Sequence, residues 1–294
     1  MKLIGENLNI MSKKYGAALK AKEAKPLQEL AIEQAQAGMD YIDLNIGPAG
    51  KMGVELMTWL VPAIEEVVDV PLALDTSNVK AIEAGLKACK KHRPLVNSIM
   101  VRPERMEALL PLAAKYDAEF VGLLWGPEGM PRDENERGAL CAELVFKATG
   151  EFGINPERIF IDPIQTPVNV QQIQIMSVIE FMKMLGDIAP GCRSTIGLSN
   201  VSNGPPDHLR PILNQVMLII LKRHGMYSAI VDTYDTKLHE IARGKHANLE
   251  ALVHKVEDGE SIDMGPLSSE EKDFVKTAKV ILGQTLYSDS WLQI

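Results

Sequence analysis

Short apolar runs alternate with longer amphipathic segments along most of the chain, and this alternation predicts strands that are each followed by a helix. The units recur at a spacing of about 30 residues, which suits strand–helix–strand units of parallel strands. The runs that predict strands are 3–4, 41–46, 71–74, 95–101, 119–124, 158–161, 193–198 and 229–231. The patterns that predict helices are 26–38, 54–68, 79–89, 102–115, 134–152, 170–186, 207–225 and 236–245.

Eight such units predict one closed (β/α)8 TIM barrel, so a single domain is expected over residues 1–294. An open doubly wound sheet that binds a dinucleotide is disfavoured, because no G-x-G-x-x-G motif follows the first strand. Residues 248–270 are polar and acidic and predict a connection. The sequence Ser-Ser-Glu-Glu opens residues 268–282 as a helix-capping signal, so a C-terminal closing helix is expected there.

Composition and charge exclude several classes of protein. Hydrophobic residues make up 46% of the chain, which is enough for a sizeable core, and the net charge of −8 disfavours binding to nucleic acid. Three widely separated cysteines without a C-x-x-C spacing disfavour a disulfide framework and a thiolate zinc site. The carboxylate of Glu6 lies where a secretory signal is apolar, and no apolar stretch is long enough to cross a membrane. A soluble cytoplasmic protein is therefore expected.

Aspartate or asparagine occurs at seven of the eight predicted strand ends. In a barrel of this class the carboxyl ends of the strands converge, and the chemistry is found there. Any one of these residues is more simply explained as a turn former or a helix N-cap, but their recurrence around the barrel favours a shared site. The side chains concerned are Asn9, Asp43, Asn45, Asp75, Asn97, Asp162, Asn200 and Asp232.

No lysine, arginine or histidine stands among these side chains in the strand-end motifs. The predicted mouth of the barrel therefore offers hydrogen-bond acceptors, together with amides that both donate and accept. Such a mouth suits a neutral heterocycle rich in N–H groups, of which a pterin ring is an example, and it suits a phosphate poorly. A buried donor left unpaired costs about 1–3 kcal/mol, so a few fixed oxygens are enough to select such a ring edge.

Six motifs, in order along residues 1–290, resemble the pterin-binding barrel family. The branch that they resemble is the methyltetrahydrofolate:corrinoid protein methyltransferases of anaerobic one-carbon metabolism. The motifs are Glu6-Asn7-Leu8-Asn9, Asp43-Leu44-Asn45-Ile46-Gly47-Pro48, Leu74-Asp75-Thr76-Ser77-Asn78, Asn97-Ser98, Ile161-Asp162-Pro163 and Gly197-Leu198-Ser199-Asn200-Val201-Ser202.

The resemblance implies that Asp75, Asn97 and Asp162 bind the edge of the pterin ring. It implies that Asn200 hydrogen-bonds N5, the nitrogen that carries the methyl group. Because a neutral amide is a weak acid, Asn200 is expected to act by hydrogen bonding in the transition state rather than by full proton transfer. Asn200, Asp75 and Asp162 are the expected catalytic residues.

Further binding residues follow from the same resemblance. Gly197 and Ser199 are expected to shape the loop at the end of strand 7. Arg210 is expected to meet the folate tail, although two residues are inserted before it relative to the family's pattern. Asn9 and Asp43 are expected at the pterin site as well, with structural hydrogen bonding at the barrel mouth as an equal alternative.

The resemblance also implies substrates and partners. The substrates are tetrahydrofolate and 5-methyltetrahydrofolate, and the corrinoid (cobalamin) that exchanges the methyl group is carried by a separate protein. Methyl transfer in either direction is compatible with the motifs. A homodimer is implied, no metal ion belongs to the chain itself, and residues 125–131 after strand 5 form either a mobile rim loop or a long turn.

Three rival functions remain for comparison. Dihydropteroate synthase shares the barrel and its aspartates, but cations that bind pyrophosphate are missing from the ends of strands 7 and 8. A zinc-dependent thiol methyltransferase is opposed by the scattered cysteines, and none of the six histidines is assigned to a metal. A non-catalytic module that only docks a corrinoid protein is the rival of another class, and titration with methyltetrahydrofolate distinguishes it.

Overall fold

The computed structural model describes residues 1–293, in which eight parallel strands form one sheet. The strands are β1 (Lys2–Gly5), β2 (Tyr41–Asn45), β3 (Leu72–Asp75), β4 (Leu95–Met100), β5 (Glu119–Leu123), β6 (Ile159–Asp162), β7 (Arg193–Ser194) and β8 (Ser228–Val231). They follow the order β7-β6-β5-β4-β3-β2-β1-β8. The ring closes between β7 and β8, where the amide of Ile230 donates to the carbonyl of Ile196 at 2.8 Å. The predicted (β/α)8 barrel is confirmed.

Helices follow every strand and cover the outside of the barrel. The helices are α1 (Lys13–Ala21), α2 (Ala24–Gln36), α3 (Gly53–Glu65), α4 (Val79–Ala88), α5 (Pro103–Lys115), α6 (Glu134–Gly150), α7 (Val168–Ile188), α8 (Arg210–Arg223), α9 (Thr236–Ala242), α10 (Ala247–Glu257) and α11 (Ser269–Ile281). The predicted closing helix is α11, and it begins at a capping box formed by Ser268 and Glu271.

The prediction of a connection over 248–270 is wrong in its first half, because α10 occupies it. Leu249, Val253 and Val256 are buried along one side of this helix, and the polar residues that suggested a connection cover its other side. Helix α1 was not predicted either. Its sequence KKYGAALKA contributes only Gly16, Ala18 and Leu19 to the interior, which is too few apolar positions for a clear helical period.

The amino-terminal end of the barrel interior is filled by large side chains. Tyr41 and Phe160 pack edge to face, and the Arg193 guanidinium lies 5.4 Å from the Phe160 ring. The buried Glu119 accepts from the Tyr41 hydroxyl and from Arg193, both at 2.8 Å. This amino-terminal end, called the floor below, is therefore closed, and its polar groups are paired. The other polar side chains of the barrel interior lie at the opposite, carboxyl end, called the mouth.

Candidate functional site

The strand period of two places polar side chains above the floor on β2, β3 and β4. On β2, Asp43 and Asn45 follow Tyr41 at every second position, so they share its inward face. The register pairs Asn45 with Asp75 and Asp75 with Asn97, which puts the three side chains at one level. Two hydrogen bonds connect the set: Asn45 Nδ2 donates to Asp75 at 2.5 Å, and Asn97 Nδ2 donates to Asp43 at 3.1 Å.

Asp43 and Asp75 form a buried, hydrogen-bonded carboxyl pair. Burial, followed by the charge of Asp75, raises the pKa of Asp43 well above its ordinary value. Burial also raises the pKa of Asp75, to about 6, while the hydrogen bond from Asp43 opposes that rise. The pair therefore favours a state in which the two carboxyl groups share one proton, which Asp43 binds more strongly than Asp75 does.

Asp162 ends β6 and is almost completely buried. Its Oδ1 accepts from the amide of Ile164 at 2.8 Å, and its carboxylate also accepts from the amide of Gly197. Burial raises the pKa of Asp162 to about 7, although both hydrogen bonds oppose that rise. The carboxyl group therefore changes its charge near neutral pH.

The turn after β7 carries Ser199 and Asn200 in a short 3-10 segment, Leu198–Ser202. The Ser199 hydroxyl donates to Glu6 at 2.6 Å, which connects this turn to the end of β1. Burial raises the pKa of Glu6. Gly197 has no side chain, and a Cβ there would lie 2.9 Å from Nδ2 of Asn200. The amide of the exposed Asn200 therefore lies close to Gly197, in the turn that follows β7.

Asn9 and Arg210 lie at the border of this group. The Asn9 side chain accepts from the amide of Met11 at 2.8 Å, and its backbone pairs with Asn45, so it shapes the loop after β1. Arg210 begins α8, and its Nε lies 3.4 Å from the Ser202 hydroxyl. A cavity of about 370 Å³ opens beside Arg210, and its other lining residues are Glu6, Ser199, Asp207, Pro211, Asn214, Asp232 and Asp235.

Two polar residues of the mouth occur in the quoted motifs, but neither of them was predicted as a catalytic or pterin-binding residue. Asn45 holds Asp75, and Glu6 holds Ser199. Both could have been found from the strand period, because Asn45 lies two positions after Asp43 and Glu6 lies two positions after the inward Ile4.

Exposed apolar side chains occur on the loops around the mouth. Met11, Met52, Trp125 and Tyr234 follow β1, β2, β5 and β8 respectively, and all four are exposed. The segment 125–131 contains a tight turn, in which the amides of Gly126 and Gly129 donate to each other's carbonyls at 2.9 and 3.1 Å.

Among residues 1–293 no group of three or more His, Cys, Asp or Glu side chains is arranged to hold a metal ion. Within the same residues, no helix combines the length and the apolar character needed to cross a bilayer.

Comparisons with known proteins identify the family. The model of the family described as pterin binding enzyme matches residues 5–232. A methylcorrinoid:tetrahydrofolate methyltransferase of Eubacterium limosum is 30% identical over 234 residues, which cover 79% of this chain and 85% of that protein. A methionine synthase of Mycobacterium tuberculosis is 28% identical over 239 residues, which cover 78% of this chain but only 20% of that longer protein.

Solved structures share the fold at low sequence identity. A dihydropteroate synthase of Xanthomonas albilineans in complex with 7,8-dihydropteroate superposes with a TM-score of 0.65 at 15% identity, covering 84% of this chain and 93% of that one. A dihydropteroate synthase of Thermus thermophilus gives a TM-score of 0.61 at 20% identity, covering 85% of this chain and 94% of that one. At these identities the similarity is one of fold alone.

Proposed function

Because the chain belongs to the family of pterin-binding enzymes, we propose that it transfers a methyl group between N5 of tetrahydrofolate and the cobalt of a corrinoid on another protein. The printed name of the Eubacterium limosum relative, which is similar over most of both chains, supports this reaction. The direction named there, from the methylcorrinoid to tetrahydrofolate, is the direction proposed here. The reverse reaction uses the same site.

The observation that carries the proposal is the set of carboxylates and amides at the carboxyl end of the barrel. Asp75 and Asp162 supply acceptors for the amino and ring N–H groups of a pterin, and Asn97 supplies an amide that both donates and accepts. Burial makes this recognition selective, because a ligand that leaves these groups unpaired pays for their desolvation. Asp43 lies beneath Asp75 and binds the proton of the pair more strongly.

Asn200 is the residue proposed to act at N5. This assignment is supported by its exposed position in the turn that follows β7, with its amide close to Gly197. Charge on N5 changes as the methyl group arrives or leaves. A positioned neutral amide that donates to N5, or accepts from its proton, stabilises that change without taking a full proton.

The charge of the mouth disfavours the synthase-like alternative. The cavity beside Arg210 is lined by the acidic residues Glu6, Asp207, Asp232 and Asp235 and by this one arginine. Binding of a pyrophosphate leaving group requires positively charged side chains, and a cavity lined by acidic residues repels it. The acidic wall therefore supports methyl transfer over reactions that release pyrophosphate.

The proposed partner is a corrinoid protein that docks transiently over the mouth. The corrinoid supplies the cobalt that exchanges the methyl group, and this chain contributes the folate site. The exposed Met11, Trp125 and Tyr234 suit such a contact, because apolar side chains on a polar rim are typical of protein interfaces. The homodimer, the single domain and the cytoplasmic location remain predictions, and analytical ultracentrifugation tests the first of them.

An anaerobic spectroscopic assay tests the function. Methylcobalamin is mixed with tetrahydrofolate, and cob(I)alamin with methyltetrahydrofolate, and the cobalamin spectrum is followed with and without enzyme. Enzyme-dependent conversion is expected in at least one direction and should be abolished by Asp75→Ala. The control Asp69→Ala removes an exposed aspartate outside the mouth and should retain full activity. A wild-type protein that binds neither folate in isothermal titration would refute the proposal.

A further inference from the structure

Arg137 is a completely buried arginine on α6. Its guanidinium donates to three neutral acceptors: the carbonyl of Pro163 at 2.8 Å, the hydroxyl of Ser177 at 2.7 Å and the amide oxygen of Gln174 at 3.0 Å. Gln174 in turn donates to the carbonyl of Arg132 at 2.7 Å. No carboxylate among residues 1–293 forms an ion pair with Arg137. A buried charge without a paired counter-ion is costly, so its presence needs a physical reason.

The first reason lies in the turn that follows β6. Pro163 separates Asp162 from Ile164, and Ile164 adopts φ = +68°, a left-handed conformation that is unfavourable for a β-branched residue. This conformation lets the Ile164 amide donate to Asp162. Because Arg137 holds the carbonyl of Pro163 and also binds two side chains of α7, it fixes the turn between β6 and α7. Asp162 is thereby held in one orientation.

The second reason is electrostatic. Burial raises the pKa of Asp162, and the charge of Arg137 opposes that rise together with the amides of Ile164 and Gly197. Arg137 is the one charged side chain among these influences on Asp162. The other charges near Arg137 are Glu134 and Glu136 on its own helix and Asp133 at the N-cap of that helix. Glu136 is bound to Arg132.

We propose that Arg137 is a positioning residue for pterin recognition, which holds the Asp162–Ile164 turn in place and supplies a positive charge that favours the carboxylate form of Asp162 when the ring binds. The inference rests on the proposed assignment of Asp162 to the pterin edge. Arg137 is not proposed to contact the substrate, because it is completely buried on α6 and its guanidinium is bound to Pro163, Ser177 and Gln174. Its effect on the ligand passes through Asp162.

The charge effect is measured on the ligand-free protein, so it is independent of the proposed function. Aspartate labelled with 13C at the carboxyl carbon gives an NMR titration curve, and the Asp162→Asn variant identifies the signal of Asp162. In Arg137→Gln, which keeps an N–H donor but removes the charge, the titration midpoint should rise by about half a pH unit or more. In Arg137→Lys it should stay near the wild-type value. The control Arg132→Gln removes an exposed charge from the same region and should not move it.

The positioning effect is measured by titrating tetrahydrofolate into each variant across the pH range. Binding to Arg137→Gln should be weakened at least about threefold near pH 7, with its pH midpoint shifted upward in parallel with Asp162. Gln174→Met, which loses one acceptor of the guanidinium but retains the charge, should bind more weakly without a shift of the midpoint. If Arg137→Gln does not fold, Gln174→Met still tests the inference.

Two results would overturn the inference. One is an unchanged Asp162 midpoint in folded Arg137→Gln, and the other is wild-type tetrahydrofolate affinity in Gln174→Met. If the wild-type protein does not bind tetrahydrofolate, the proposed function is refuted instead. The titration of Asp162 in the ligand-free protein still tests the charge effect of Arg137. If Arg137→Lys restores the Asp162 midpoint and the tetrahydrofolate affinity, the effect of Arg137→Gln is due to the lost charge and not to general damage to the packing of α6 and α7.

Discussion

The substitution Gly197→Ala tests whether the Asn200 amide must lie where the structure has it. The added Cβ would lie 2.9 Å from Asn200 Nδ2, closer than side-chain carbons normally approach another heavy atom. The backbone does not oppose the change, because Gly197 has φ = −72°. The contact is with the end of a flexible, exposed side chain, so Asn200 moves away and the fold is retained. We expect a displacement of about half an ångström or more, and a loss of about 10- to 100-fold in kcat.

The assay is single-turnover methyl transfer between methylcobalamin and tetrahydrofolate, with folate affinity measured separately by isothermal titration. Affinity should change little, since the other ring contacts remain, and thermal stability should be equal or slightly higher, because alanine reduces the entropy of the unfolded chain. The control is Gly186→Ala, where a Cβ on α7 meets nothing within 4 Å. Wild-type kcat in folded Gly197→Ala would refute the reasoning, because the Asn200 amide would then not need this position.

The remaining predictions concern three single side chains. Asn200→Ala should lower kcat by about 100-fold with folate affinity nearly unchanged. The control Asn203→Ala removes an exposed neighbouring amide and should change neither kcat nor affinity. An equal loss of kcat and of folate affinity in Asn200→Ala would make Asn200 a binding residue only. Asp162→Ala should mainly weaken tetrahydrofolate binding, and wild-type affinity would contradict its assignment. The folded protein raises the pKa of Asp162 to about 7, so the contribution of this group to stability is lost as the pH rises towards that value. Asp162→Asn should therefore raise the free energy of unfolding above pH 7, by up to about 4 kcal/mol in denaturant titrations. A lower free energy of unfolding than that of the wild type above pH 7 would contradict the predicted sign. Arg193→Met leaves Glu119 buried without its cation at the barrel floor, so it should lower the free energy of unfolding by about 3 kcal/mol. An unaltered melting curve would contradict this prediction.

The strand ends were predictable because each depends on a local pattern. A run such as 71–74 is too short for a helix, and the polar Asp75 that follows it marks where the strand leaves the interior. The capped start of α11 is a local signal of the same kind. The helices α1 and α10 were missed because their apolar positions are few and are buried only by packing against the rest of the barrel.

The properties that give the mouth its chemistry depend on residues far apart in the chain. Asp43 and Asp75 share a proton because the register of β2 and β3 brings them together, and neither residue alone indicates a raised pKa. The position of the Asn200 amide depends on the absence of a side chain at Gly197. Arg137 has no sequence signature at all, because its acceptors come from the turn after β6 and from α7.

The sequence by itself determined the alternation of strands and helices, the barrel and the acceptor-rich character of its carboxyl end, since periodicity and residue type are properties of neighbours along the chain. Only the tertiary structure decided which carboxyl groups are buried together, which of them binds a proton more strongly, and which distant arginine holds the turn that carries Asp162. Burial and electrostatic interaction depend on distances in space, and these exist only once the ring of strands has closed.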